Sequence, residues 1–221
     1  MVLKIAEIGI NHNGKLRLAI KLADEAYAAG ADVAKYQTFW DMGRLEQYEL
    51  NISEWIKLKK HCDKIGIIFM STCHTFNSID FIDTFVPMHK IASPYITNKD
   101  FIDKILDTGK PILMSTGNTK NDDGMATFEE IEETLSWINR KDNLILMHCV
   151  SKYPCEDPCY WRINELKEFG YPVGLSDHSK NIIIPKDIEV IEKHFMLEDQ
   201  ECIDKNVSLT PTEFKTMVDL L

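Results

Sequence analysis

The chain has 221 residues, of which 44% are hydrophobic, and it carries a formal net charge of −10 with a pI of about 5.2. This length and apolar content predict a single domain over residues 1–221. The acidic balance argues against nucleic acid as a partner, because few cations are available to neutralise phosphates. No apolar run reaches the roughly 18–20 residues of a membrane span, so no membrane partner is predicted.

The six cysteines are not preceded by a recognisable secretory leader, which predicts reduced thiols in a cytoplasmic protein. Cys155 and Cys159 have the spacing of half a zinc site. No second cysteine pair accompanies them, and the simpler interpretation is that they are free thiols.

Eight short apolar segments with strand character alternate with helix-like segments along the chain. The strands are predicted at 3–10, 33–38, 67–72, 89–92, 111–115, 143–149, 172–175 and 189–195. The helices are predicted at 16–29, 53–65, 77–85, 99–107, 128–138, 161–169 and 212–221, with N-caps at Ser53, Asn98 and Thr210.

This alternation predicts parallel strands, and eight units favour a (β/α)8 TIM barrel over a doubly wound open sheet. Barrels of this kind usually need about 250 residues, so shortened loops are expected. Between strands seven and eight, only about a dozen residues including Pro185 are available. We expect a stunted helix of one or two turns there.

Nearly every predicted strand ends on a polar residue. In a parallel barrel all eight carboxyl ends open on one mouth, so these side chains are expected to converge. Each must find a partner if buried, because an unpaired polar group costs about 1–3 kcal/mol. The pattern predicts a functional site at the mouth. Its members are Glu7, Asn11, Lys35, Thr72, Ser93, Ser115, His148, Ser176, His178 and His194.

Two histidines end neighbouring strands, seven and eight. The imidazoles of His178 and His194 are positioned to bind one divalent ion, leaving its other positions to water or substrate. Glu7 on the adjacent strand one is positioned to orient a bound water or to act as a base. The alternative is that both histidines are satisfied polar groups at the rim. His148 and Cys149 are adjacent and face opposite ways, and we expect Cys149 to pack outward.

Two lysines lie inside apolar strand segments. Lys35 and Lys90 facing one cavity would suit an anion between them, with nearby hydroxyl groups as further donors. The turn 115–118 offers backbone amides to a phosphate. The alternative is that each lysine reaches outward to solvent or pairs with a buried acid such as Glu7 or Glu192.

Taken together, these segments resemble the sialic acid synthase family, whose members make N-acetylneuraminate and related nonulosonic acids. The resemblance extends in order along the whole chain. The matching segments are AEIGINHNG (6–14), AGADVAKYQTF (29–39), FMST (69–72), KIAS (90–93), GKPILMSTGN (109–118), LMHCVSKYP (146–154), GYPVGLSDHS (170–179), IEKHF (191–195) and SLTPTEF (208–214).

The resemblance implies an enzyme that condenses phosphoenolpyruvate with the aldehyde of an N-acetylated amino sugar, such as N-acetylmannosamine, with the help of Mn²⁺ or Mg²⁺. It implies His178 and His194 as metal ligands, and Glu7, Lys35 and Asp204 as catalytic residues. The implied substrate-binding residues are Thr72, Lys90, Ser93, Ser115, Ser151, Tyr153 and Ser176.

The chain also departs from the family pattern. Tyr95 stands where the family often has an acidic residue, and Ser151 where some members have asparagine. We expect residues 1–221 to hold only the barrel part of the family, without its usual C-terminal antifreeze-like domain. A homodimer is therefore expected only by analogy, and a non-catalytic barrel that binds a sugar or a partner protein is the alternative. A synthase for a phosphorylated sugar would need more basic residues than Lys152 and Arg44.

Overall fold

The computed structural model describes residues 1–40, 42–138 and 143–221, and the side chain of Arg44 lies outside the described part. Eight strands are present, close to the predicted positions. They are β1 Leu3–Gly9, β2 Val33–Thr38, β3 Ile68–Cys73, β4 His89–Ile91, β5 Ile112–Ser115, β6 Leu144–Cys149, β7 Val173–Asp177 and β8 Val190–His194.

The strands form one parallel sheet that curves into a barrel. Its order is β3-β2-β1-β8-β7-β6-β5-β4, so the first and last strands of the chain are paired at its centre. The two ends of the sheet, β3 and β4, lie side by side without ladder hydrogen bonds in the described residues. The predicted barrel is confirmed, and the open doubly wound alternative is wrong.

Seven helices in the described chain cover the outside of the barrel, and none of them is long and apolar enough to cross a membrane. They are α1 Leu16–Ala28, α2 Ile52–Ile65, α3 Phe76–Asp83, α4 Lys99–Leu106, α5 Phe128–Trp137, α6 Arg162–Lys167 and α7 Pro211–Leu220. The predicted caps Asn98 and Thr210 are confirmed. The predicted cap Ser53 is wrong, because Asn51 and Glu54 form a reciprocal capping box two residues earlier.

The expected stunted helix between β7 and β8 is absent from residues 178–189, all of which the structure describes. The segment must return along the length of the barrel in about a dozen residues. Extended chain rises about 3.3 Å per residue against 1.5 Å in a helix, so an extended path covers the distance. Ile184 and Ile188 are buried and cover the barrel wall in place of a helix.

Alternation along the strands divides the barrel interior into an apolar floor and a polar layer above it. The floor is one buried cluster, formed by Ile5, Val33, Met70, Leu113, Met147 and Val190. Two residues further along each of these strands, the next inward side chain lines the cavity at the mouth. These side chains are Glu7, Lys35, Thr72, Ser115, Cys149 and Glu192. The site is therefore built directly on packed apolar side chains.

Candidate active site at the mouth of the barrel

A cavity opens at the carboxyl ends of the strands, and about 580 Å³ of space, part of it open to solvent, lies between its walls. The cavity brings together almost all of the predicted site residues, namely Glu7, Lys35, Thr72, Lys90, Ser93, Ser115, Ser151, Tyr153, Ser176, His178 and His194. The predicted convergence at one mouth is confirmed, whereas the roles of the individual residues stay predictions.

One wall of the cavity is formed by a buried ion pair on neighbouring strands. Lys35 Nζ lies 2.6 Å from Glu7 Oε2 and donates a hydrogen bond of 2.8 Å to Thr72 Oγ1. The strand register sets Glu7 opposite Lys35, which explains the contact. Both side chains are almost inaccessible to solvent, at 2% and 3% exposure. The lysine is thus held firmly in the cavity.

The second lysine, Lys90, approaches a second buried carboxylate, that of Glu192. Lys90 Nζ donates to Ser115 Oγ at 2.7 Å and lies 3.5 Å from Glu192 Oε1. Glu192 Oε2 in turn lies 3.5 Å from Lys35 Nζ, and Ser176 Oγ donates to Glu192 Oε1 at 2.9 Å. Glu192 therefore bridges the two lysines. The alternative interpretation of lysines paired with buried acids is correct, and the pairing takes place inside the cavity.

These contacts shift the pKa values of Glu192 and Glu7 in opposite directions. Burial raises the pKa of Glu192, but Lys35 and Lys90 outweigh it and hold this pKa at about 2. Burial is also the largest influence on Glu7, and with Glu192 nearby it leaves the pKa of Glu7 raised despite Lys35. Burial lowers the pKa of Lys35, yet Glu192 and Glu7 raise it overall. At neutral pH the cavity therefore holds a charged Lys35 beside an ionised Glu192.

The two predicted metal ligands lie next to each other at the ends of the neighbouring strands β7 and β8. The rings of His178 and His194 have centroids 5.4 Å apart, and Tyr153 stacks on His178 at 4.1 Å. The Tyr153 hydroxyl lies 2.9 Å from His178 Nε2, while His178 Nδ1 faces the Val150 carbonyl at 2.9 Å. The contact with the backbone carbonyl occupies Nδ1, so Nε2 points toward the Tyr153 hydroxyl.

Asp204 joins this pair through His194 and does not line the cavity itself. Its Oδ2 lies 3.4 Å from His194 Nδ1, a buried atom that makes no hydrogen bond within the described residues. Burial raises the pKa of Asp204, but the contact with His194 lowers it overall. The ionised carboxylate therefore orients one imidazole, as outer-shell carboxylates do around metal sites.

The donor set fits a divalent ion bound by few protein ligands. Two tilted imidazoles lie next to each other at the mouth, and one of them has a buried nitrogen without a hydrogen bond and a carboxylate behind it. No cluster of three or more His, Cys, Asp or Glu residues with ligand geometry occurs in residues 1–40, 42–138 and 143–221. An ion held by His178 and His194 would keep positions open for water and substrate, as catalytic sites do.

Three of the sequence expectations at the strand ends, those for Cys149, His148 and Asn11, are wrong. Cys149 faces the cavity, with its Sγ 3.5 Å from Ser93 Oγ, whereas His148 faces outward and contacts the Pro158 carbonyl at 2.7 Å. The two do lie on opposite faces, but Met147 in the floor sets Cys149 inward. Asn11 is also structural: its Nδ2 donates to the Phe195 carbonyl at 3.0 Å.

The structure adds cavity residues that were not assigned to the site from the sequence. They include Gln37, His74, Cys149 and Glu192. Glu192 and Gln37 were detectable, because each lies two residues from a predicted inward residue, His194 and Lys35 respectively. His74 lies two residues after Thr72 and was detectable in the same way.

Comparison with known proteins agrees with this geometry. The NeuB family model matches residues 41–221. The N,N'-diacetyllegionaminic acid synthase of Campylobacter jejuni is 32% identical, over 96% of this chain and 73% of that protein. A pseudaminic acid synthase of the same species is 35% identical, over 97% of this chain and 71% of that protein.

A solved structure shares the fold closely. The N-acetylneuraminic acid synthetase of Leptospira borgpetersenii superposes with a TM-score of 0.90 at 31% identity, covering 99% of this chain and 82% of that one. The barrel, the cavity and the matched length together assign the chain: it belongs to the NeuB family.

Proposed function

We propose that this protein is a phosphoenolpyruvate-dependent synthase of a nonulosonic acid. It would condense phosphoenolpyruvate with the open-chain aldehyde of an N-acetylated amino sugar, such as N-acetylmannosamine, and release phosphate. The observation that carries the proposal is one cavity lined by two buried lysines and by two neighbouring imidazoles. The synthases among its relatives support the same reaction class.

The reaction needs an anion held in place next to a polarised aldehyde. The enol carbon of phosphoenolpyruvate bonds to the aldehyde carbon, water adds to the carbon that carries the phosphate ester, and phosphate leaves with cleavage of that C–O bond. Charge moves from the ester to the leaving phosphate and to the new hydroxyl group. Fixed cations and hydroxyl donors around the phosphate therefore lower the barrier.

The chain's own residues fit these tasks. Lys35 and Lys90 carry the charges that would hold the phosphate and carboxylate, and Thr72 and Ser115 orient the two ammonium groups. Glu192 lies 3.5 Å from both ammonium groups and holds them in place before the substrate enters. In a cavity that excludes bulk water, such a preset arrangement avoids reorganisation during the reaction.

Glu7 is assigned the proton transfer at the reacting carbons. It is buried in the cavity, its pKa is raised, mainly by burial, and it lies beside His194 in the strand register. A carboxyl group of raised pKa exchanges a proton near neutral pH more readily than an ordinary glutamate. Ser151 and Tyr153 lie at the outer side of the cavity, where the sugar would enter.

A divalent ion, Mn²⁺ or Mg²⁺, is part of the proposal, with His178 and His194 as its protein ligands and Asp204 orienting His194. When bound, it would supply Lewis-acid polarisation of the aldehyde oxygen. The Tyr153 hydroxyl lies 2.9 Å from His178 Nε2, the nitrogen that would hold the ion, so ion binding would release this hydroxyl for the sugar.

The test is phosphate release with a panel of acylated hexosamines, phosphoenolpyruvate and Mn²⁺. We expect release only when all three are present, and transfer of ¹⁸O from the bridging C–O bond into the released phosphate. No release with any sugar of the panel would refute the synthase. Binding of an amino sugar or of a protein without any affinity for phosphoenolpyruvate would support the non-catalytic barrel instead.

A synthase for a phosphorylated sugar is less well supported. It needs a basic cluster at the mouth in addition to Lys35 and Lys90, and Lys152 is exposed and is not among the residues that line the cavity. The panel therefore also includes 6-phosphorylated hexosamines. A homodimer and a cytoplasmic location remain predictions by analogy.

A further inference from the structure

One histidine of the cavity has no role in the proposed reaction. His74 follows β3 directly, two residues after Thr72, so its side chain continues the inward alternation of that strand. At this place the barrel is open, because β3 and β4 meet without ladder hydrogen bonds in the described chain. The imidazole thus lies at the mouth, over the seam between the two strands that carry Thr72 and Lys90.

The ring is held by contacts on several sides. It stacks on Phe39 with centroids 4.2 Å apart and planes only 13° from parallel. Across the seam, the Tyr95 hydroxyl donates to the His74 carbonyl at 2.7 Å, and Tyr95 itself stacks on Phe101 at 4.1 Å. These aromatic contacts fix the imidazole before any ligand arrives, so little side-chain freedom is left to be lost on binding.

The position of the ring leaves one nitrogen without a partner. His74 Nε2 is buried and makes no hydrogen bond to any residue that the structure describes. Buried polar atoms are rarely left unpaired, because desolvation without a replacement hydrogen bond is unfavourable. In a ring that lines a ligand cavity, such an atom indicates a ligand partner.

The surroundings also set the charge of the ring. Burial, and then the ammonium groups of Lys35 and Lys90, lower the pKa of His74 to about 3. The imidazole is therefore neutral at physiological pH and carries one N–H donor. A neutral donor adds a directed hydrogen bond to an anion and leaves the net charge of the cavity, which is set by its two lysines and two glutamates, unchanged.

Resting on the proposed function, we propose that His74 is a further substrate-binding residue, which donates its Nε2–H to an oxyanion of the enol phosphate between Lys35 and Lys90. The oxyanion is either the phosphate or the carboxylate, two groups with the same hydrogen-bonding chemistry. Tyr95 acts through His74, as the residue that positions its backbone.

The experiment compares a variant without the donor to one that keeps it. His74→Phe retains an aromatic ring against Phe39 and removes both nitrogens, whereas His74→Gln keeps an N–H near the position of Nε2. Phosphoenolpyruvate, inorganic phosphate and pyruvate are titrated into each by calorimetry. His61→Phe, outside the cavity, is the matched control.

For His74→Phe we expect phosphoenolpyruvate affinity to fall by about 10- to 100-fold, the range for a hydrogen bond to a charged group. The loss of Nε2 itself should not lower the melting temperature, because this atom had no protein partner in the described chain. His74→Gln should recover part of the affinity, and His61→Phe should bind as the wild type does. If the affinity for inorganic phosphate falls to the same extent, His74 contacts the phosphate group of phosphoenolpyruvate. If the affinity for pyruvate falls instead, His74 contacts the carboxylate.

Unchanged affinity of His74→Phe for all three anions would overturn the proposal, as would a loss confined to the amino sugar. If His74→Phe folds poorly, His74→Leu against His74→Gln gives the same comparison. Should the wild type bind phosphoenolpyruvate but release no phosphate with any sugar, the synthase fails while these affinities still decide the role of His74. Failure of the wild type to bind any of the three anions would remove both proposals.

Discussion

Lys35 and Glu7 form an ion pair of 2.6 Å inside the barrel, where neither side chain reaches solvent to more than 3%. The pair is not isolated, because Glu192 lies 3.5 Å from the same ammonium group. Lys35 therefore compensates two buried carboxylates, Glu192 is also contacted by Lys90, and these groups depend on one another for stability as well as for binding.

Replacing Lys35 should destabilise the fold more than replacing either acid. Lys35→Met leaves Glu7 and Glu192 buried next to each other, and we expect a loss of about 3–5 kcal/mol in the free energy of unfolding. Glu7→Gln should lower the free energy of unfolding by less, because Lys35 keeps its contact with Glu192. Urea unfolding at pH 7 measures both.

The control for this pair is Lys59→Met, which breaks the exposed 2.6 Å contact with Asp63 and should change stability by no more than about 0.5 kcal/mol. Equal effects of Lys35→Met and Lys59→Met would contradict the buried network.

Lys90→Ala should act mainly on the anion. Its ammonium group is fixed by Ser115 at 2.7 Å and faces the cavity, so its removal should weaken phosphoenolpyruvate binding by about 10-fold or more. Calorimetry with phosphoenolpyruvate and with the amino sugar separates the two ligands. Lys104→Ala, on the outside in α4, should bind both as the wild type does. A loss restricted to the sugar would be inconsistent with the role given to Lys90.

His178→Ala should weaken Mn²⁺ binding by about 10- to 100-fold, because one of two protein ligands is lost. Isothermal titration of Mn²⁺ in the absence of substrates gives the affinity directly. His61→Ala, whose imidazole pairs with Asp24 at the surface, is the control. If both variants bind Mn²⁺ with wild-type affinity, His178 is not a ligand.

The buried His12 should make the fold less stable in acid. Burial lowers the pKa of His12 to about 4, and neither of its ring nitrogens has a hydrogen-bond partner in the described chain. The unfolded chain takes up this proton near pH 6.5, before the folded protein does. Stability is therefore complete above about pH 6.5 and falls as the pH drops toward 4, by about 3 kcal/mol from this group.

His12→Leu should remove that part of the pH dependence, at little cost at pH 7, because no hydrogen bond is lost. Denaturant unfolding between pH 4.5 and 8 provides the two curves. Parallel curves for the wild type and His12→Leu would show that other groups cause the loss in acid.

Gly117→Ala should impair the site through two serines. A Cβ at this position would lie 2.5 Å from both Ser93 Oγ and Ser151 Oγ, and 3.2 Å from the Cys149 carbonyl. The hydroxyl groups can rotate away, so we expect a modest loss of stability and a clear loss of ligand affinity. The double variant Ser93→Ala with Ser151→Ala should show a similar affinity. Normal binding by Gly117→Ala would mean that neither hydroxyl contacts a ligand.

The sequence by itself determined the order of the elements and the set of polar residues at the strand ends. Apolar runs of four to eight residues alternate with amphipathic segments, and this pattern specifies parallel strands and their connections. Because all carboxyl ends of such strands meet at one mouth, Lys35, Lys90, His178 and His194 were predictable as neighbours.

The tertiary structure decided which of two adjacent strand residues faces inward. It also decided which side chain lies between the inward-facing charged groups. Strand alternation has a period of two but no absolute phase, and only packing of Met147 into the floor turns Cys149 toward the cavity and His148 away. In the same way, Glu192 became the bridge between the two lysines only once β8 lay beside β1 and β7. Contacts between residues more than a hundred positions apart depend on this register, and no local pattern encodes it.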